Sequence, residues 1–223
     1  DNLAEISHQF KTPLTAITLT AELLGRHNAG TEDARLAGRI VGQTERLADL
    51  TAALLALSRA DAGVLDLSIR EVPLRELIEC SVEAMTPLLE KKEQGLHISE
   101  ETGEGGPILL RCDLGWTKEA LSNLIRNASE HAPEKTGLYI RAWDNPLFTA
   151  IVVEDEGTGF SAKDLPHLLE RFYRGEGNKA EGAGIGLSLA KALIEAQNGQ
   201  IRAENRKEGG ARFVVKFYKN SFK

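Results

Sequence analysis

The 223 residues carry a formal charge of −6, with 42% hydrophobic and 27% charged residues, which fits one or two packed domains and argues against general affinity for nucleic acid or acidic membranes. Cys80 and Cys112 stand far apart without any Cys-x-x-Cys or Cys/His cluster, so neither a disulfide framework nor a structural zinc site has support. No apolar run approaches the roughly 18 residues needed to span a bilayer.

The chain opens on Asp1 inside a helical pattern already under way, which reads as a piece of something longer. Leu3, Ile6, Phe10, Leu14, Ile17, Ala21 and Leu24 recur at gaps of three and four and predict one helix with a single buried stripe, His8 falling roughly opposite it. Pro13 lies inside that helix. Its ring clashes with the carbonyl of Gln9 and removes one donor, which predicts a bend just beyond His8. After the turn signals of GRHNAGTED, Leu36, Ile40, Leu47, Leu50, Leu54 and Leu57 take heptad a and d positions, with Gln43 as the polar exception. Two such helices cannot bury both stripes against each other alone, so pairing with a second copy into a four-helix bundle, a homodimer, is the natural solution.

Near Ala62 and Gly63 the heptads stop, and residues 64–223 read as a second domain after residues 1–63. LDLSI reads as a strand, RELIECSVEAMTPLLEKKE as a helix, LHISEE and ILLRC as strands, and DLGWTKEALSNLIRNASEHA as a helix. LYIRAW and AIVVED form a hairpin across DNPLF, IGLSLAKALIEAQNG a helix with Gly199 at its end, and IRAENR and ARFVVKF a hairpin on KEGG. The order predicts an α/β sandwich, a mixed and mostly antiparallel sheet under one layer of helices. Between Phe160 and Gly186 the chain is polar and punctuated by Gly175, Gly177, Gly182, Gly184 and Gly186, the pattern of a functional lid or of a disordered connection.

Three stretches of this second domain carry chemistry. Asn123 and Asn127, four apart on one helix face, offer neutral amide oxygens suited to Mg2+ beside phosphates. In EDEGTGF, Asp155 ends an apolar strand where its carboxylate can accept from an exocyclic amine, and Gly157 and Gly159 let the backbone approach a flat base. In EGAGIGLSLAKAL, glycines run into a helix N-terminus, which favours phosphate. The spacing is G-x-G-x-G with no P-loop lysine, so Rossmann and P-loop readings fail.

Taken in order, LSNLIRNASEHA, EDEGTGF, LLERFYRG and EGAGIGL resemble the N, G1, F and G2 boxes of the catalytic ATP-binding domain of sensor histidine kinases, and SHQFKTPLTAI resembles the H box of their dimerisation and phosphotransfer domain. The resemblance covers essentially the whole chain. It implies a helical hairpin pairing as a dimeric four-helix bundle, followed by an α/β sandwich of the gyrase/Hsp90/histidine kinase/MutL ATPase type. It implies ATP and Mg2+, autophosphorylation of His8, transfer to an aspartate of a response regulator, and a place in the cytoplasmic portion of a membrane sensor. Carried over residue by residue, Asp155 would hold the adenine amine, Gly157 and Gly159 shape the base pocket, and Asn127 ligate Mg2+ with Asn123 supporting. Phe172 and Tyr173 would pack the lid, Arg174 approach the phosphates, and Gly182, Gly184 and Gly186 let the lid close, with Leu187 completing the nucleotide site. The bend at Pro13 would let His8 reach bound ATP, and Thr12 would position a water that dephosphorylates the regulator.

Two positions depart from the family pattern. Gln9 stands where many members carry a carboxylate after the histidine; an amide can orient an imidazole and cannot take its proton. Glu130 stands where many N boxes have a lysine, followed here by His131. Gln9 keeps open an alternative, a catalytically weakened nucleotide-binding regulatory module. A plain ATPase of the gyrase and chaperone superfamily is a second alternative, against which the histidine-bearing hairpin argues.

Overall fold

The computed structural model describes residues 2–27, 30–101, 106–175 and 184–219, the side chains of residues 2–10 and 27 excepted. The chain divides into two compact units, Asp1–Ala62 and Gly63–Lys223.

The first unit is a hairpin of α1 (Asn2–His27) and α2 (Glu32–Asp61), and α1 continues through Pro13. Thr31 caps α2, its hydroxyl oxygen accepting from the Ala34 amide at 3.4 Å, and Glu32, Asp33 and Arg59 complement the helix dipole at either end. Leu14 and Ala21 on α1 and Ala37, Thr44, Ala56 and Leu57 on α2 are buried. Ile17 and Leu24 on α1, and Leu36, Ile40, Leu47 and Leu54 on α2, stay exposed. The stripe predicted as buried therefore divides, because two helices offer each other only a narrow seam and the rest of each apolar face lies outside it.

The second unit begins with β1 (Arg70–Pro73), α3 (Leu74–Glu83), α4 (Thr86–Lys91), β2 (Gly95–Glu101) and β3 (Leu109–Cys112). It continues through α5 (Leu114–His131), β4 (Gly137–Asp144), β5 (Phe148–Asp155), α6 (Gly186–Glu195), β6 (Gly199–Asn205) and β7 (Ala211–Tyr218). β1 and β3 make a two-stranded antiparallel sheet, and a five-stranded sheet runs β2-β4-β5-β7-β6, parallel only between β2 and β4. One face of the larger sheet, with Leu138, Ile140, Ile151, Val153, Phe213 and Val215, shares a core with Leu121, Leu124, Ile125, Leu189, Leu193 and Ile194 of α5 and α6. This is the predicted sandwich.

Three local expectations are corrected. LDLSI is not a strand: residues 64–69 lack regular structure and pairing starts at Arg70, because the Ser68 amide and the Asp66 carbonyl are engaged by Asp113 and Trp116 instead. RELIECSVEAMTPLLEKKE is two helices, broken at Ala84 and Met85, since Pro87 has no N–H to return to Glu83. The left-handed residue after α6 is Asn198, at φ 60°, and Gly199 already begins β6, where a Cβ would lie 2.9 Å from the Ile194 carbonyl oxygen.

On the other face of the sheet Glu154 is fully buried between Arg141 and Arg212, the latter 2.5 Å away through Nε. Burial pushes the Glu154 carboxyl up, and the hydrogen bonds from Arg141 and Arg212 outweigh it and hold the group below its ordinary value. A depressed carboxylate stabilises the fold above its unfolded value and loses that contribution as pH falls through the folded one. Glu154→Gln is expected to cost about 1–3 kcal/mol, read by urea unfolding at neutral pH. The deficit should shrink in acid.

Candidate active site

α5 brings Asn123 and Asn127 to one half-buried face, four residues apart. Asp113 starts this helix by accepting from the Trp116 amide at 2.9 Å, and Lys92 and Gln94 close its far end on the carbonyls of Ser129 and Ala132. Asn123 donates through Nδ2 to the Glu119 carbonyl at 2.9 Å and to its carboxylate at 3.2 Å. Its Oδ1 faces Gly186, the first residue of α6, where a Cβ would come within 2.9 Å. The Asn127 side chain takes no hydrogen bond among the described residues, so its amide oxygen is available.

Asp155 is the last residue of β5 and lies on the core side of the sheet, 1% exposed. Oδ1 accepts from the Gly157 amide at 2.8 Å and the Ala211 amide at 3.1 Å, which leaves Oδ2 outside both bonds. Burial raises the Asp155 carboxyl above its ordinary value, opposed by those two amides and more weakly by His131 and Arg206. A donor arriving at Oδ2 would therefore meet a fixed, poorly solvated acceptor, where a hydrogen bond is strong.

The glycines around Asp155 mark close approaches. A Cβ on Gly157 would sit 2.9 Å from Asp155 Oδ1 and 3.0 Å from the His131 carbonyl oxygen, so the end of α5 and the EDEGTGF turn meet here. Gly159 has φ +73°, and a Cβ there would lie 2.7 Å from Asn205 Oδ1. Asn205 brackets Phe160, accepting from its amide at 2.8 Å and donating to its carbonyl at 2.9 Å. Arg206 donates from Nη1 to the Asp155 carbonyl at 2.6 Å.

In the segment expected to form a lid, the Phe172 amide donates to the Gly184 carbonyl at 3.0 Å, with φ 60° at Phe172 and 72° at Gly184. The Phe172 ring is 60% exposed, whereas Tyr173 donates to Asp164 at 2.7 Å and lies beside the His167 ring. Of the pair expected to pack the lid, Tyr173 is the one turned inward. Arg174 is exposed, Leu187 is half-buried on α6, and Gly177 and Gly182 lie outside the described residues. His8 and Gln9 lie on α1 with side chains outside the described residues; Thr12 follows one turn later and is exposed.

The fold thus sets Asn123 against Gly186 and the end of α5 against Gly157 and Asp155, with Asn127 between these two points on α5. Asn205, Arg206, Gly210 and Ala211 support the second of these and were missed by reading the sequence, in which KEGG signals only a hairpin turn. The one available hint was the doubled glycine, Gly209 and Gly210, at φ 94° and 93°. Among the described residues no three His, Cys, Asp or Glu side chains are placed to hold a metal ion.

Residues 112–221 match the family described as histidine kinase-, DNA gyrase B- and HSP90-like ATPase, and residues 1–63 match the His Kinase A (phospho-acceptor) domain. The sensor protein SphS of Synechococcus elongatus is 33% identical over 221 residues, covering 94% of this chain and 52% of that protein. The signal transduction histidine-protein kinase AfsQ2 of Streptomyces coelicolor is 31% identical over 228 residues, covering 96% and 41%. The chain thus spans about half, or less, of the length of these two relatives. Among solved structures, full-length ShkA in complex with AMPPNP superposes with a TM-score of 0.81 at 24% identity, over 97% of this chain and 45% of that one. The Acinetobacter baumannii histidine kinase AdeS gives 0.72 at 23%, over 96% and 98%, and at such identities both speak for the fold alone. A phospho-acceptor match on the helical hairpin and an ATPase match on the sheet unit, in that order and with relatives aligned along nearly the whole chain, show that it belongs to the two-component sensor histidine kinases.

Proposed function

We propose that this chain is the ATP-dependent phosphotransfer core of a sensor, in which His8 accepts the γ-phosphoryl group of ATP and passes it to an aspartate of a response regulator. The observation that carries the reading is that α5 meets both other stretches, its end against the EDEGTGF turn at Gly157 and its Asn123 against Gly186 at the start of α6, with the buried Asp155 carboxylate held by the Gly157 amide. Asp155 Oδ2 takes the exocyclic amine of adenine, Gly157 and Gly159 admit the base, and the free N–H groups opening α6 at Gly186 and Leu187 face phosphate. Asn127 holds Mg2+ with Asn123 oriented beside it. The lid residues Phe172, Tyr173 and Arg174 and the glycines Gly182 and Gly184 cover the phosphates.

A neutral imidazole nitrogen of His8 attacks the γ-phosphorus, the bond to the β–γ bridging oxygen breaks, and ADP leaves with the electron pair. Mg2+ supplies neutralisation of charge on the phosphates. Gln9 orients the imidazole without removing its proton, so attack relies on the neutral form that His populates near pH 7. Thr12, one turn on, positions water for dephosphorylating the regulator. Two hairpins pair through the exposed Ile17, Leu24, Leu36, Ile40, Leu47 and Leu54 into a four-helix bundle. No described helix is long and apolar enough to cross a membrane, and we assign the chain to the cytoplasmic portion of a membrane sensor from its resemblance to the sensor histidine kinases.

Incubation with γ-labelled ATP and Mg2+ tests this directly. Acid-labile, base-stable label is expected on the wild type and absent from His8→Ala. Gln9 favours a second reading, a nucleotide-binding regulatory module: no label on wild type or Gln9→Glu, despite bound nucleotide, would select it. Label on Gln9→Glu alone would mean a kinase attenuated at that position.

A further inference from the structure

The second unit opens without regular structure over residues 64–69, the stretch that links its sheet to α2, yet two residues of this linker are fixed to the start of α5. The Trp116 indole Nε1 donates to the Asp66 carbonyl at 3.1 Å, and the Ser68 amide donates to Asp113 Oδ2 at 2.7 Å. Asp113 uses its other oxygen to cap α5, so one carboxylate serves the helix and the linker at once. It is itself held from within: the Asp113 amide and the Thr117 hydroxyl both donate to Gln197 Oε1, at 2.7 and 3.0 Å, and Gln197 donates to the Leu193 carbonyl at 2.9 Å. Asp113, Thr117 and Gln197 are all buried. Through Ser68 the linker is therefore anchored to a satisfied polar network joining α5 and α6, the two helices that carry the nucleotide site, and the exposed Trp116 bond to Asp66 adds a second hold at the surface.

On the other side, α2 ends at Asp61 with Ala62 as its cap, and Gly63 turns at φ +65° with nothing crowding it. Only Gly63, Val64 and Leu65 lie between that cap and the first anchored residue. We propose that Asp113 and Trp116 are positioning residues that confine the connection between the units to Gly63–Leu65, and that this short tether sets how often bound ATP is presented to His8. The proposal rests on the phosphotransfer reading above. Anchored, the connection from Ala62 to Asp66 spans at most about 14 Å; released as far as β1 it would reach about 28 Å. Effective concentration falls roughly as the −3/2 power of tether length, so doubling the tether should slow presentation by about threefold.

The test uses the full chain and two alterations. Asp113→Asn combined with Trp116→Phe keeps the helix cap and the ring packing, but sets an amide donor against the Ser68 N–H and deletes the indole donor. A Gly-Ser-Gly-Ser insertion after Val64 lengthens the tether with the anchor intact. For the substituted chain we expect faster hydrogen exchange at the Ser68 amide, unchanged nucleotide affinity, and phosphorylation of His8 slowed about threefold. The insertion should give comparable slowing with Ser68 exchange unchanged. Phosphorylation at the wild-type rate in either variant, or Ser68 exchange already fast in the wild type, overturns the proposal. A wild type that takes no label overturns the kinase reading together with this consequence of it, and is told apart from a failed anchor because Ser68 exchange is read without any chemistry.

Discussion

Asp155→Asn is expected to weaken ATP binding by about 10- to 100-fold, measured by titration calorimetry, with the chain still folded. The substitution is nearly isosteric, and its single oxygen can stay with the Gly157 and Ala211 amides that now share Oδ1. The other position then presents N–H groups where Oδ2 stood, so an adenine amine meets a donor instead of an acceptor. Acid should reproduce part of the loss. Burial raises the Asp155 carboxyl, and the amine prefers the ionised form, so affinity should fall as pH drops through that raised value, with a proton released on binding in that range. The same shift has the opposite sign for the empty protein: a raised carboxyl costs stability above its folded value, and protonation relieves the cost. Affinity and the Asp155 contribution to unliganded stability should therefore move in opposite directions on the acid side, a difference between wild type and Asp155→Asn that the loss of the Glu154 contribution in both leaves visible.

Gly210→Ala is expected to be the most damaging single methyl group in the second unit. A Cβ there would fall directly onto the Asp155 carbonyl oxygen and lie 2.9 Å from its carbon, both rigid backbone, and φ is +93°. Either the β6–β7 turn or the end of β5 must move. The first breaks the Ala211 bond to Asp155 Oδ1 and the second displaces the carboxylate itself. A loss of about 3 kcal/mol or more is expected in thermal or denaturant unfolding, together with loss of nucleotide binding. Gly209→Ala is the control, since it shares the positive φ and has nothing within reach of a Cβ. It should cost only the backbone strain, about 1 kcal/mol, and leave binding intact.

Much of this was legible in the chain because local signals agreed with the tertiary answer. The period of 3.6 in α1 and α2, the alternation in β7 and the DNPLF turn each follow from residues close in sequence. What was not legible depended on distant partners. LDLSI alternates as a strand should, and only Asp113 and Trp116, some 45 to 50 residues away, withdraw its backbone from pairing. The left-handed position after α6 went to Asn198 because Gly199 is needed where β6 passes against Ile194. For the site, Asn123, Asn127, Asp155 and Gly157 stand out by residue type, whereas Asn205 and Arg206 look like ordinary solvated residues of a strand end. Their part becomes visible only when the β6–β7 turn is seen to lie against the EDEGTGF turn.

The strand order β2-β4-β5-β7-β6 leaves two edges, and both are charged. β2 ends in Ser99, Glu100 and Glu101, and β6 carries Arg202 and Glu204 beside Asn205. Edges of this kind repel addition of a further strand. The sheet unit is thus guarded at both edges against a further strand, whereas the leucines left bare on α1 and α2 are the surface on which the proposed pairing of hairpins depends.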